Sequence, residues 1–258
     1  MVLYGITLAP LAEELREADP GLLSPLYADD AAFDGLERCS AQLLKLLMKR
    51  GLDRGYFPEP AKSLFISDIP EQEAAAKREF LAEGLTLNYV SGSRYLGAYL
   101  GPQAELEAWV KPQAEAWAHG VKVVAKISRR HPQSAYAGLG MSLQLEWQYL
   151  QRTVPRVGTL MGPIEEALRE KVFPSLFGGE DIDADFRIIL GLGVKHGGLG
   201  IPEPRLSAEC AYNTSKVASR ELVDSLLGGS VLNYVGHRAR VRGASLLERH
   251  EKMHVRLG

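Results

Sequence analysis

Cysteine is almost missing from this chain. Cys39 and Cys210 are the only two in 258 residues, and neither forms a Cys-x-x-Cys pair or lies near a histidine at ligand spacing. That excludes a zinc knuckle and points to a reducing compartment, cytoplasmic or nuclear. No apolar run approaches the ~20 residues needed to cross a bilayer, so no membrane partner is expected. The start, Met1-Val2-Leu3-Tyr4-Gly5-Ile6, is apolar but has neither the basic leader nor the small-residue cleavage site of a signal peptide. A strong charge of one sign is lacking too. The formal net charge of −2 is not that of a dedicated nucleic-acid binder.

What is there suits a folded globular chain. Hydrophobic content of 46% and charged content of 24% are ordinary, and the length allows one large domain or two small ones. The basic residues are nevertheless clustered. Between His119 and Val154 stand Lys122, Lys126, Arg129, Arg130 and Arg152 against the single acid Glu146. A second group, Arg238, Arg240, Arg242, Arg249, Lys252 and Arg256, follows His237.

Apolar spacing predicts a helix from Leu3 to Ala18, with Leu8, Leu11 and Leu15 on one face, ended by Asp19-Pro20-Gly21. Short apolar arms, Leu22 to Leu26 and Ala31 to Phe33, read as a β-hairpin. A helix from Gly35 to Lys49 is expected to bury Leu36, Leu43, Leu47 and Met48. Ala61 to Ile66 and Leu85 to Val90 read as strands around a charged helix from Glu71 to Glu83. Arg94 to Leu100 follows a tight turn. Beyond Gly101-Pro102 strand signals nearly vanish. Helices are predicted at Glu105 to Val110, Ala114 to Arg130, Ser142 to Val154, Gly162 to Val172 and Ala208 to Leu227. Trp117 and Trp147 read as core residues. The division expected is residues 1–101, mixed α/β, and residues 102–258, mostly helical.

The chemistry-bearing stretch is Tyr27-Ala28-Asp29-Asp30, between the arms of the first hairpin. Adjacent carboxylates at a hairpin tip suit a site that grips a divalent cation and a triphosphate, because Mg²⁺ takes one or two carboxylates plus substrate phosphates. An Asp-Asp pair in a loop also serves as a plain turn or capping device. His250 and His254 have i, i+4 ligand spacing without a third ligand in sight. Gly191-Leu192-Gly193 starts like a dinucleotide fingerprint, but position 196 is histidine where the third glycine belongs.

Element order adds specificity. A helix, a Tyr-Ala-Asp-Asp hairpin, a helix, a Gly51-Leu52…Lys62-Ser63 strand and a Tyr95-Leu96-Gly97 strand pair together resemble the later part of a reverse transcriptase palm. The similarity is to the RNA-directed DNA polymerases of non-LTR, LINE-like retrotransposons. Residues 1–101 look like the palm's later motifs. The helices from about 103 to 170 and the run from Lys195 to Ile201 look like the thumb and beyond. The implied fold is α+β, a truncated palm of antiparallel hairpins with packed helices, then a thumb-like helical region.

That resemblance implies roles. Asp29 and Asp30 would be the metal-site carboxylates for Mg²⁺ or Mn²⁺, with Asp29 the direct ligand. Tyr27 would line the primer terminus, and Lys62 would be a candidate acid for the departing pyrophosphate, unless it is a plain solvated lysine. Tyr95, Leu96 and Gly97 would grip the primer's 3′ end. Lys122, Lys126, Arg129 and Arg130 would follow the template–primer backbone by neutralising phosphates. Partners would be an RNA template, a DNA primer and deoxynucleoside triphosphates.

Two-metal transfer needs metals about 3.5–4 Å apart and a further palm aspartate, followed by a Gln-Gly turn for the nucleotide. Neither is found before the hairpin, where the early acids Glu13, Glu14, Glu17 and Asp19 lie at a helix end. The expectation is a polymerase fragment, inactive as these 258 residues, that binds Mg²⁺ or Mn²⁺ weakly. A non-catalytic nucleic-acid-binding module and a non-functional retrotransposon relic remain as alternatives.

Overall fold

A computed structural model describes the backbone of residues 2–27 and 30–254, with side chains over 5–27 and 30–247. Helices dominate, and the strands among the described residues form three separate two-stranded sheets. The chain divides into two compact units. One comprises Met1–Ser93 with Leu100–Pro102, the other Arg94–Tyr99 with Gln103–Gly258.

In the first unit, α1 (Val2–Ala18) buries Leu8, Leu11 and Leu15, the i, i+3, i+7 row of its sequence. The Asp19 carboxylate then accepts the Gly21 N–H at 3.1 Å and turns the chain. An antiparallel hairpin follows, β1 (Leu26–Tyr27) and β2 (Asp30–Ala31). Next, α2 (Glu37–Gly51) buries Leu43, Leu44 and Leu47. Leu36, expected in that core, is 71% exposed. It is the residue before the first turn, so it does not share the apolar face.

Strand β3 (Leu64–Ile66), helix α3 (Pro70–Ala82) and strand β4 (Asn88–Val90) come next. Both strands are shorter than their apolar runs suggest. Pro60 fixes its own φ and starts a 3₁₀ turn over Pro60–Lys62, which withholds those residues from β3. The strands pair in parallel, Leu64 with Asn88 through Ile66 with Val90. This corrects the expectation of antiparallel hairpins throughout. A helix intervenes, and a helical crossover returns the chain in the same direction. Phe65 packs on Phe80 and Tyr89, with ring centroids 6.3 and 5.8 Å apart.

The second unit holds residues 94–99 from the hairpin of β5 (Ser93–Tyr95) and β6 (Ala98–Leu100), followed by helices. Here α4 (Gln103–Ser128) is one 26-residue helix where the sequence suggested two, separated near Pro112. Its buried row, Leu106, Val110, Ala114, Ala118, Val121 and Ala125, passes through the proline without losing register, so packing overrides the local breaker. After it come α5 (Pro132–Gly138), α6 (Gln144–Thr153), α7 (Gly162–Ala167), α8 (Phe173–Leu176), α9 (Ala184–Gly191), α10 (Pro204–Leu227) and α11 (Tyr234–His254). A π-turn at Leu139–Leu143 joins α5 to α6, and another at Leu168–Val172 joins α7 to α8. The core gathers Leu139, Trp147, Met161, Ile164, Leu168, Phe173 and Ile201.

One ion pair lies inside that core. Arg187 on α9 grips Glu165 on α7 through two parallel bonds of 2.6 and 2.7 Å. Its remaining nitrogen donates to the Ile201 carbonyl at 2.9 Å, and the guanidinium lies 4.9 Å from the Phe173 ring centre. Half-buried Glu203 stands in the same field. Burial pushes its carboxyl above the usual range and Glu165 adds repulsion, partly offset by Arg187, Arg205 and Arg169.

A carboxyl held above its unfolded value costs stability once ionised, and that cost disappears below the unfolded value. Glu203→Gln should therefore raise stability at neutral pH, by less than about 1 kcal/mol because solvent screens the site. The gain should shrink as pH falls through the carboxylate range. Urea unfolding across that range checks it, and a gain independent of pH would contradict the cause given.

Candidate functional site

The Tyr-Ala-Asp-Asp stretch is built on a hairpin of unbroken register. Leu26 pairs with Ala31 and Tyr27 with Asp30, and a further bridge joins Leu23 to Asp34. Pro25 accepts from Ala32 at 3.1 Å, and Leu23 and Asp34 exchange backbone bonds of 3.1 and 2.9 Å. The alternation buries Leu22 and half-buries Leu26, Ala31 and Phe33 against the first core. Tyr27 (57% exposed) and Asp30 are directed to solvent. Asp29, the expected direct metal ligand, lies outside the described residues together with Ala28.

Three of the four early acids, Glu13, Glu14 and Asp19, are committed elsewhere. Glu14 bridges Arg54 at 2.5 Å and Arg50 at 3.7 Å, and Glu13 pairs with Arg16. Asp19 takes the Gly21 N–H and a hydrogen bond from the Cys39 thiol. That bond, with burial second, holds the Cys39 thiol above its usual pKa, the reverse of an activated thiolate. Among the described residues no three His, Cys, Asp or Glu side chains converge as a metal group. Asp30 and its described neighbours do not by themselves fit a two-metal centre. The side chains of His250 and His254 lie outside the described residues.

Lys62 is not on a strand, as expected, but ends the 3₁₀ turn before β3. Its ammonium pairs with Glu59 at 2.8 Å, and its side chain is 77% exposed. Tyr95, Leu96 and Gly97 do come together, at the end of β5 and in the turn before β6. Leu96 and Gly97 have φ of +46° and +79°, the double left-handed turn that matches strand twist in two-residue hairpins. The Leu96 carbonyl accepts from the Tyr149 hydroxyl of α6 at 2.7 Å. A Cβ on Gly97 would sit 2.7 Å from the Tyr149 ring. The close approach that this glycine permits is thus made by Tyr149.

The basic candidates separate. Lys122 and Lys126 follow the buried Val121 and Ala125 by one position each, which sets them about 100° around α4 from the core, and Arg129 follows Ser128, the last residue of the helix. All three line one groove of about 930 Å³, whereas Arg130 does not line it. Lys171 and the Gly178-Gly179 rim form the facing wall, with Glu170 the acid among the lining residues. The sequence reading missed Lys171. At i+7 from Ile164 it falls on the core face of a regular helix. The π-turn inserts a residue, so Val172 and Phe173 enter the core and Lys171 stays 55% exposed. The signal available was Lys171 itself, a charge at an apolar position.

Trp147 is buried, as expected, while Trp117 is half-buried and donates its indole N–H to Glu146 at 2.8 Å. No described helix is long and apolar enough to cross a membrane. Gly97→Ala should cost about 1–2 kcal/mol for the left-handed backbone alone, and more for the displaced Tyr149 ring. Urea unfolding measures it, and unchanged stability would contradict the latch. Set against known family models, curated proteins and solved structures, the chain matches none of them.

Proposed function

We propose that this chain is part of an RNA-directed DNA polymerase, a reverse transcriptase similar to those of LINE-like retrotransposons. Asp29 and Asp30 then form one part of a divalent-metal site for Mg²⁺ or Mn²⁺. The observation that carries the reading is the hairpin. Its register sets Tyr27 opposite Asp30 at an exposed tip, where the Asp30 carboxylate can meet a cation and a nucleotide's phosphates. An RNA template, a DNA primer and deoxynucleoside triphosphates are the partners this implies, in the cytoplasm or nucleus.

Within this reading Tyr27 offers an exposed ring to a primer end, and Lys62 would have to leave Glu59 before serving as an acid. Tyr95, Leu96 and Gly97 belong to a latched hairpin whose backbone strain is held by Tyr149. The described residues supply no third carboxylate at the hairpin, so residues 1–258 alone are expected to extend no primer. The cationic groove favours a second reading, a nucleic-acid-binding module without catalysis.

Primer extension on a primed RNA with Mg²⁺ or Mn²⁺ tests the first reading. The expected result is no product from these residues alone. Extension abolished by Asp29→Ala would show a complete active site and overturn the partial-site account. Extension untouched by Asp29→Ala would sink the role given to the hairpin.

A further inference from the structure

The helical arm that ends the second unit carries an inference independent of the hairpin's metal chemistry. Helix α10 begins by burying Pro204, Ala208 and Ala211, packed on α6, where Gln151 donates to the Pro204 carbonyl at 2.7 Å. The same row runs on through Ser215 to Leu222 and Leu226, which are 40% and 60% exposed. Helix α11 folds back antiparallel beside them without covering them. It takes the neighbouring row of α10, half-buried Thr214, Ala218, Glu221 and Ser225, with its own Ala244 buried and Arg240 on Glu221 at 3.0 Å. One step round α11 from that contact, Tyr234 and Val241 are exposed, seven residues apart. In an antiparallel pair of right-handed helices this row lies on the same side as Leu222 and Leu226. The arm thus presents a two-helix apolar face to water, the kind of patch that marks an interaction site.

Charge says what kind of partner fits. Arg220 and Arg240 have carboxylates on the arm, Asp224 at 3.8 Å and Glu221 at 3.0 Å. Arg238 and Arg242 have none among the described residues. They stand at i, i+4 along the outer edge of the face, and Arg238 lies 5.7 Å from the Tyr234 ring centre. The face itself carries no described acid. Glu221 is turned to α11, and Asp224, two residues after Leu222, falls on the opposite side of α10. We infer that this face docks an amphipathic helix of a partner protein whose apolar row is edged by carboxylates. Its apolar anchors at i, i+3/i+4 and i+7 lie along Leu222, Leu226, Tyr234 and Val241, as in other helix-in-groove complexes. Carboxylates one turn apart on the partner match the rise of about 6 Å between Arg238 and Arg242. Tyrosine beside arginine is the pairing that supplies much of the energy at interfaces. A second copy of this chain offers the same acid-free face and leaves the two arginines unmatched. A phosphodiester strand would meet the arginines and leave the leucines in water.

Fluorescence anisotropy of the full chain with a labelled peptide of about three heptads, leucine at a and d and glutamate at e and g, tests this. Repulsion between its glutamates keeps that peptide from pairing with itself. A twin carries lysine in place of glutamate. The glutamate peptide should bind, and the lysine twin should bind about tenfold more weakly. Arg238→Glu with Arg242→Glu should reverse that preference. Leu226→Asp should weaken the glutamate peptide by about tenfold or more, while Val217→Asp, on the opposite face of the arm, should leave it unchanged. On the unaltered chain, bound peptide should slow amide exchange over residues 215–245. No binding of the glutamate peptide, equal binding of both twins, or a Leu226→Asp chain that binds as the parent does would overturn the inference. So would a dimer in sedimentation that Leu226→Asp dissolves, which marks a second copy as the occupant. Displacement of the peptide by oligouridine, lost in the double arginine variant, would mark a nucleic-acid site and overturn it as well. Primer extension plays no part in any of these readouts, so the arm and the polymerase reading fail separately.

Discussion

A bidentate ion pair, Arg187 with Glu165, is the interaction on which the second unit most depends. Both partners are buried, and such a pair offsets its desolvation only in fixed geometry with its other donors satisfied. Arg187 meets that demand by reaching Glu165, the Ile201 carbonyl and the Phe173 ring together. Four segments are thereby held, α7, α8, α9 and the stretch at Ile201. Glu165 lies just before the π-turn, and Phe173 just after it. The pair therefore holds both sides of the helical irregularity that leaves Lys171 at the groove.

The first unit rests on a different constraint, the register of one hairpin. A one-residue slip would exchange the faces of Leu26 and Tyr27 and of Asp30 and Ala31. Burial of Leu22 and packing of half-buried Leu26 on the core side prevent it. Tyr27 and Asp30 are exposed because their neighbours in sequence are not. The Leu96-Gly97 turn of the second unit is fixed in another way, by a tyrosine hydroxyl holding a left-handed leucine.

Periodicity made much of this fold legible. The rows Leu8–Leu11–Leu15 and Leu43–Leu47 appear in sequence as they do in the core, and Trp147 reads as the buried anchor it is. Local signals misled where tertiary packing overrides them. Pro112 reads as a helix break, but the buried row of α4 runs through it. The runs from Ala61 and from Leu85 read as longer strands, and parallel pairing around α3 could not be inferred from composition. At the site, charge clustering brought out Lys122, Lys126 and Arg129, yet it grouped Arg130 with them although it does not line the groove. It also left out Lys171, because a π-turn is invisible to a 3.6-residue pattern. The Asp29–Asp30 motif was plain in sequence, and Asp30 is exposed on the hairpin strand.

The proposed function requires the hairpin tip to grip a divalent cation. Mn²⁺ titration of the isotopically labelled chain, followed by paramagnetic broadening of backbone amide signals, reads this directly. The account predicts weak, selective broadening around Tyr27 to Ala31 that disappears in Asp29→Ala and Asp30→Ala. Broadening centred elsewhere, or unchanged by those substitutions, would contradict it.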